Sequence, residues 1–170
     1  MTKRLRQPTR RELLRESHQY QVTSQLRQIP YLGPIRAALL VALIQTPHRF
    51  RTQRQLWGYR GLALETRISA EYCYVKGQLR RCKKLLSIRG LNKDHNHDLK
   101  GLFKAVATTA SAQPGPLQEF YQASVAKGIK PTMARLTLAR KIAAITLTLW
   151  KKGENFDAEK LSLHAACASP

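Results

Sequence analysis

Apolar residues recur at helical spacing in several separated stretches of the chain and alternate in only one. Residues 9–20 are polar nearly all round, with Thr9 and Glu12 spaced as a capping box, which predicts a solvated helix or arm. Over residues 21–45 the pattern reads as helix, tight turn, helix. Leu26 and Ile29 lead into Pro30-Tyr31-Leu32-Gly33-Pro34, and Ile35, Ala38, Leu39, Ala42 and Leu43 then repeat at helical spacing. Pro34 suits a first helical turn, where its missing N–H is not needed, and Gly33 suits the bend before it. Thr52 is placed to cap a short helix running through Tyr59, with Gly61 as its stop.

Between Leu62 and Leu91 the helical pattern weakens. Alternation in Ser69-Ala70-Glu71-Tyr72-Cys73-Tyr74-Val75 predicts a strand or extended arm, and the basic run Arg80, Arg81, Lys83, Lys84 precedes a short apolar stretch at Leu85-Leu86. Helical spacing returns over residues 96–112 through Leu99, Leu102, Phe103, Val106 and Ala110, and Pro114-Gly115-Pro116 ends it. A further helix is predicted over residues 117–126, closed by Gly128. The last element opens near Pro131, carries Ala134, Leu138, Ile142, Ile145 and Leu149 on one face, and stops at Gly153. The fold class is therefore mainly α: a helix-hairpin-helix at residues 22–45, followed by a helical domain with an extended or short-strand insertion. The main domain spans residues 21–157, between a basic arm at 1–20 and a tail at 158–170.

Charge narrows the choice of partner. Thirty Lys and Arg stand against ten Asp and Glu among 170 residues, a net charge of +20, which raises the self-repulsion of the compact state unless a polyanion neutralises it. A membrane is excluded as a spanning environment, because the longest apolar run, residues 37–44, falls far short of the roughly 20 residues a spanning helix needs. Cys73, Cys82 and Cys167 are too widely spaced for a zinc knuckle and odd in number for a disulfide framework. A reducing cytoplasm fits them, and the first residues carry no secretory pattern. DNA is the expected partner, with association with the nucleoid as the corresponding location.

Several local motifs carry candidate chemistry. In a helix-hairpin-helix a glycine-bearing turn aims backbone N–H groups at a phosphate; here Gly33 stands in that turn with Tyr31 two positions earlier, and Arg36 follows. An ordinary helical hairpin with a Pro-Gly turn is the competing reading. Arg49, Arg51, Arg54, Arg60 and Arg67 are interleaved with Phe50, Trp57 and Tyr59, a mixture suited to phosphate contact and base stacking. A helix with buried aromatics and solvated arginines would show the same interleaving, and Trp57 is expected in the core. Asp94-His95-Asn96-His97-Asp98 suggests a metal site at first sight. Positions two apart on a helix do not share a face, and no third His or Cys lies within ligand spacing, so capping and backbone contacts are the expected roles of Asp94 and Asn96. No cluster of carboxylates is present that would hold a pair of magnesium ions, which argues against a self-contained two-metal nuclease. A hydroxyl is the remaining candidate nucleophile, and composition does not choose among the serines.

The order of segments chooses one. Residues 28–38, Gln-Ile-Pro-Tyr-Leu-Gly-Pro-Ile-Arg-Ala-Ala, are followed by Arg49-Phe50-Arg51-Thr52 and then by Gln55-Leu56-Trp57-Gly58-Tyr59-Arg60-Gly61-Leu62. Ser69-Ala70, Gly90-Leu91-Asn92-Lys93, Leu99-Lys100 and Ala139-Arg140-Lys141-Ile142 come later in the chain. Together these blocks resemble the C-terminal domain of the insertion-sequence 110/116/902 transposases, over residues 21–157. The resemblance implies a recombinase in which a RuvC-like domain with acidic metal ligands precedes this domain and a serine here is the nucleophile toward DNA. In some members a guide RNA encoded by the element directs the reaction. Ser69 falls at the position of that serine, with Ala70 where the family often has glycine.

On this reading no cofactor belongs to the chain itself, and Mg2+ is expected only with the RuvC-like domain. Residues 1–20 would be the end of a linker helix, and activity by this chain alone is not expected. Arg67, Arg60 and Lys93 are the candidates for steadying the attacked phosphate, and Gly33, Arg36, Arg49, Arg51, Arg54, Arg60, Arg80, Arg81, Lys83, Lys84 and Lys93 for binding nucleic acid. Guide RNA and a second copy of the chain are further partners to consider. The rival readings are a truncated, non-catalytic binding remnant and a basic structural protein of a ribonucleoprotein particle.

Overall fold

The computed structural model describes residues 3–158, and for residues 3–5, 65–71, 73, 75 and 81–89 it describes the backbone alone. The elements run α1 (Lys3–Ser17), α2 (Gln21–Leu26), α3 (Pro34–Ile44), a 3-10 turn (Pro47–Arg49), α4 (Gln53–Tyr59), β1 (Leu64–Val75), β2 (Gln78–Leu91), α5 (His97–Ala112), α6 (Pro116–Ala126) and α7 (Pro131–Lys152). The fold is mainly α-helical, as the periodicity predicts.

Helix α7 is the spine. Its buried side chains, Ala134, Leu138, Ala139, Ile142, Ala143, Leu147 and Leu149 among them, spread over more of the helix than a single stripe, because α2, α4, α5 and α6 all pack on it. Helix α5 also contributes small buried residues, Ala107 and Ala110, beside Leu99, Phe103 and Val106. Small side chains let helix axes approach closely, and the larger ones fill the layers between. Buried Thr146 returns its hydroxyl proton to the Ile142 carbonyl at 2.8 Å, so it adds no unmet polar group.

Local signals set most of the helix ends. Thr52 and Gln55 form a reciprocal capping box at the start of α4, and Asn96 Oδ1 accepts from the Leu99 N–H at 3.0 Å to open α5. Pro34, Pro116 and Pro131 occupy first-turn positions of α3, α6 and α7. Gly153 closes α7 in the left-handed region, with φ 67. Beyond it the chain is clamped to α2. Gln25 Nε2 donates to the Gly153 carbonyl at 3.2 Å, Gln28 Nε2 donates to Asn155 Oδ1 at 3.0 Å, and Phe156 N–H donates to Gln28 Oε1 at 3.0 Å.

The structure departs from the sequence pattern in four places. Helix α1 runs unbroken from Lys3 through Pro8, so Thr9 lies inside it and not at a helix start. The buried face of α3 is Ala37, Ala38, Leu40 and Ile44, whereas Leu39 and Ala42 point outward; a helix apolar nearly all round does not reveal in sequence which side meets the core. Gly33 has φ −63, and the left-handed residue of the turn is Tyr31, with φ 66, so the bend does not depend on glycine at 33. Finally, the extended segment is longer than the alternation of residues 69–75 suggests. It is a two-stranded antiparallel hairpin, with Leu64 opposite Leu91, Ser69 opposite Lys84 and Val75 opposite Gln78, and with register shifts between Leu64 and Thr66 and between Arg67 and Ile68.

The hairpin root is fixed by a close approach. Gly61, at φ 63, lies against the His95 ring, and a β-carbon there would stand 2.3 Å from His95 Cγ. At Gly33 the same substitution meets open space. Gly61→Ala is therefore expected to destabilise the fold by about 2 kcal/mol or more through backbone strain and overlap, while Gly33→Ala changes stability by no more than about 0.5 kcal/mol. Urea denaturation of both variants beside the parent chain checks the pair, and equal losses would contradict this account of the turn and the root.

Candidate nucleic-acid interface

The outward-facing cations fall into local groups, each built by different elements. Between α1 and the start of α3 lies an open groove of about 800 Å³, lined by Arg6, Thr9, Arg10, Leu13, Gly33, Pro34, Ile35, Arg36 and Leu39. The N-cap Gly33 has no side chain to satisfy the first-turn N–H groups of α3, so these donors and the positive end of the helix dipole face the groove beside the arginines. Arg36 is tied to the turn, since its Nη1 donates to the Tyr31 carbonyl at 2.9 Å. Gly33 and Arg36 are thus brought together with Arg6 and Arg10, two residues the motif reading did not single out. Their spacing along α1 places them one helical turn apart, and only the packing of α1 on α3 reveals their destination.

Arg49, Arg51 and Arg54 are exposed around the start of α4. The Arg49 guanidinium lies 5.4 Å from the Tyr59 ring centre and 5.9 Å from that of Phe50. Those rings pack 5.5 Å from each other, with Phe50 buried, so they support the arginine and are not open platforms for bases. Trp57 is half-buried against the core, and its indole N–H donates to the Arg140 carbonyl at 3.2 Å.

Arg60 corrects the reading of its neighbours. Its side chain is fully buried, with Nε donating to the Leu56 carbonyl at 3.1 Å and the guanidinium 4.0 Å from the Phe103 ring centre. Burial drives its pKa well below the usual arginine value. Arg60 cannot touch a phosphate in this arrangement, because the end of α4 turns it inward onto α5. A buried guanidinium with unmet donors carries a desolvation penalty of several kcal/mol, of which the aromatic contact returns about 2 kcal/mol.

The hairpin carries the third group. Its tip is Lys76-Gly77, with φ 51 and 76, the conformation of a tight two-residue turn. Opposite partners along the ladder are Arg67 and Ser87, Ser69 and Lys84, Tyr72 and Arg81, and Cys73 and Arg80. The side chains of Arg67, Ser69, Arg81, Lys83 and Lys84 lie outside the described residues, whereas Arg80 is exposed. Tyr72 and Tyr74 are 63% and 76% exposed, enough to offer ring faces to a ligand. Sequence reasoning missed them, although their alternation within β1 was the available signal.

Lys93 is exposed on the segment between β2 and α5. On that same segment the His95 ring lies 4.4 Å from that of His97. Among the described residues no group of three or more His, Cys, Asp or Glu side chains could hold a metal ion. No helix of the described residues is long and apolar enough to cross a membrane.

A more closed pocket of about 490 Å³ lies between α4, α6, α7 and the clamped segment after α7, with Trp57, Phe120, Arg140, Lys141, Ile145 and Phe156 among its lining. Burial lowers the pKa of Arg140 and of Lys141, and Lys141 Nζ lies 5.9 Å from the Phe120 ring centre. These two cations are absorbed into the packing.

Comparison with known proteins gives this arrangement a family. The insertion element IS116 uncharacterized 44.8 kDa protein of Streptomyces clavuligerus is 28% identical over 116 residues, which cover 68% of this chain and 26% of that protein. The chain therefore spans about a quarter of the length of this relative. The family described as transposase IS116/IS110/IS902 matches residues 23–122, a stretch from α2 to α6 that includes the whole hairpin. With more than half of its length in that match, the chain belongs to the IS116/IS110/IS902 transposase family.

Proposed function

We propose that this chain is the DNA-binding C-terminal domain of an insertion-sequence transposase, acting in transposition and DNA recombination, and that Ser69 supplies the nucleophile when the domain works within a full-length parent. The observation that carries the binding reading is the hairpin. It projects from the helical core with most of its contacts between its own strands, bears Arg67, Lys76, Arg80, Arg81, Lys83, Lys84 and Arg89 against Glu65 and Glu71, and exposes two tyrosines. A basic ribbon with open aromatic faces combines phosphate attraction with base stacking. The α1–α3 groove and the arginines around α4 add further phosphate contacts, and the protein would work in the cytoplasm on nucleoid DNA.

The chemical role of Ser69 rests on family membership and on its place in the hairpin. Its Oγ would attack a backbone phosphorus as the bond to a deoxyribose oxygen breaks, with the serine proton passing to a base. The phosphorus would then be joined to the protein. A serine hydroxyl needs such a base and nearby positive charge to stabilise the pentavalent arrangement. Arg67 on β1 and Lys84 opposite Ser69 are the candidates for charge. The base and the metal belong to the part of the transposase outside this chain. Guide RNA and self-association remain part of the proposal for the full-length protein.

Three outcomes are expected. Affinity for duplex DNA should be high at low salt and fall with a log–log slope of roughly −0.9 per phosphate contacted; fluorescence anisotropy across a salt series measures this, and a flat profile would sink the nucleic-acid reading. Tyr72→Ala combined with Tyr74→Ala should weaken single-stranded DNA binding by about 1–3 kcal/mol per stacked base while leaving the thermal midpoint unchanged, since both rings are exposed. Unaltered affinity would remove the tyrosines from the interface. For chemistry, the isolated chain should form no protein–DNA adduct. A version completed with a RuvC-like partner should form one that Ser69→Ala abolishes while non-covalent binding persists. An adduct surviving in the completed Ser69→Ala protein would show that another group is the nucleophile.

A further inference from the structure

Two side chains, buried Arg60 and half-buried His95, have buried hydrogen-bonding atoms without a partner where the end of α4 meets the start of α5. Arg60 Nη1 and Nη2 have no partner, and neither do His95 Nδ1 and Nε2. The two residues share one junction. Gly61, next to Arg60, is covered by the His95 ring, and the Asn96 N–H donates to the Tyr59 carbonyl at 3.0 Å, laying the segment before α5 across the end of α4. The hairpin root is held there as well, for Asn92 N–H donates to the Ala63 carbonyl at 3.1 Å.

Buried polar groups are almost always satisfied, and a guanidinium fork is the group most costly to leave without an acceptor. Among the described residues no acceptor lies within hydrogen-bonding reach of Arg60 Nη1 or Nη2, a carboxylate included. A planar guanidinium matches an oxyanion, which can accept from both of its terminal nitrogens.

We propose that Arg60 and His95 form a concealed binding site for a backbone phosphate of nucleic acid at the root of the β1–β2 hairpin, closed in the free chain by the contact of His95 with Gly61. The proposal rests on the nucleic-acid reading above. Arg60 is the C-cap of α4 and is followed by Gly61 in the left-handed region. Lifting the segment that carries His95 uncovers this turn and gives the arginine a route outward. Exposed Lys93 sits two residues before His95 and would meet the polyanion first. The guanidinium then exchanges the face of Phe103 for phosphate oxygens, and the His95 ring gains a partner for a nitrogen. Concealment makes the site selective for ligands bound strongly enough elsewhere on the chain to open it.

Arg60→Met, which keeps an unbranched side chain and removes the orphaned donors, separates this site from a structural role. In the free chain the variant should melt at a higher temperature than the parent. Its affinity for a labelled DNA duplex should fall about tenfold or more, as for loss of a charged hydrogen-bonded contact, and its salt slope should shrink by roughly 0.9. Equal affinity and slope in parent and variant would overturn the site while leaving the general nucleic-acid reading intact; absence of salt-dependent binding in the parent would remove that reading instead. A second measurement holds if Arg60→Met does not fold. In His95→Ala, which removes the cover, phenylglyoxal should modify Arg60 faster than in the parent, read by peptide mass, and added duplex should protect it. Modification at the same rate with and without duplex would overturn the proposal.

Discussion

Arg140 holds the outer parts of the molecule to its spine. Its Nε donates to the Leu62 carbonyl at 2.7 Å, its own carbonyl accepts the Trp57 indole proton at 3.2 Å, and its guanidinium lies 6.0 Å from the Trp57 ring centre. One residue of α7 thus fixes both the end of α4 and the entry to the hairpin. Lys151, a few turns further along the same helix, donates to the Phe50 carbonyl and steadies the chain before α4. With the approach of His95 to Gly61 and the bond from Asn92 N–H to the Ala63 carbonyl, the hold of Arg140 on Leu62 fixes the root of the hairpin. A partly buried cation keeps such a post because carbonyl oxygens meet its donors and an aromatic face covers it.

The same helix shows why some of the fold could be read from the sequence and some could not. Capping by Thr52 and Asn96, proline in the first turn and glycine at the end of α7 are short-range devices, written within a few residues of where they act. Their helices follow from the sequence with little ambiguity. The inward face of α3 and the length of β2 are settled by what packs or pairs from elsewhere. In β2 the run Arg80-Arg81-Cys82-Lys83-Lys84 has no apolar alternation to announce a strand; pairing with β1 makes it one.

Charge was the least resolved signal at the level of individual side chains. The excess of Lys and Arg points to a polyanion, yet adjacent arginines have opposite fates: Arg49, Arg51 and Arg54 stay in solvent, Arg60 is buried, and Arg140 and Lys151 serve as internal anchors. A helix of seven residues such as α4 turns its positions to all sides, and only the neighbours decide which arginine is swallowed. Arg6 and Arg10 illustrate the reverse, since their groove exists only once α1 lies on α3. Ser69 differs again. No local pattern marks it, and the role proposed for it rests on the order of family segments around it.

The hairpin is the whole of the sheet among the described residues, so each strand has an outer edge of peptide groups that no third strand takes up. Open edges of this kind are templates for pairing between molecules. The ribbon's sequence carries seven lysines and arginines against two glutamates, and like charges repel over about 8–10 Å at ordinary ionic strength before screening removes the effect. Colloidal stability of the chain is thereby tied to the same residues proposed above to attract a polyanion: concentrated salt, which would loosen a bound nucleic acid, would also weaken the repulsion that keeps two ribbons from pairing.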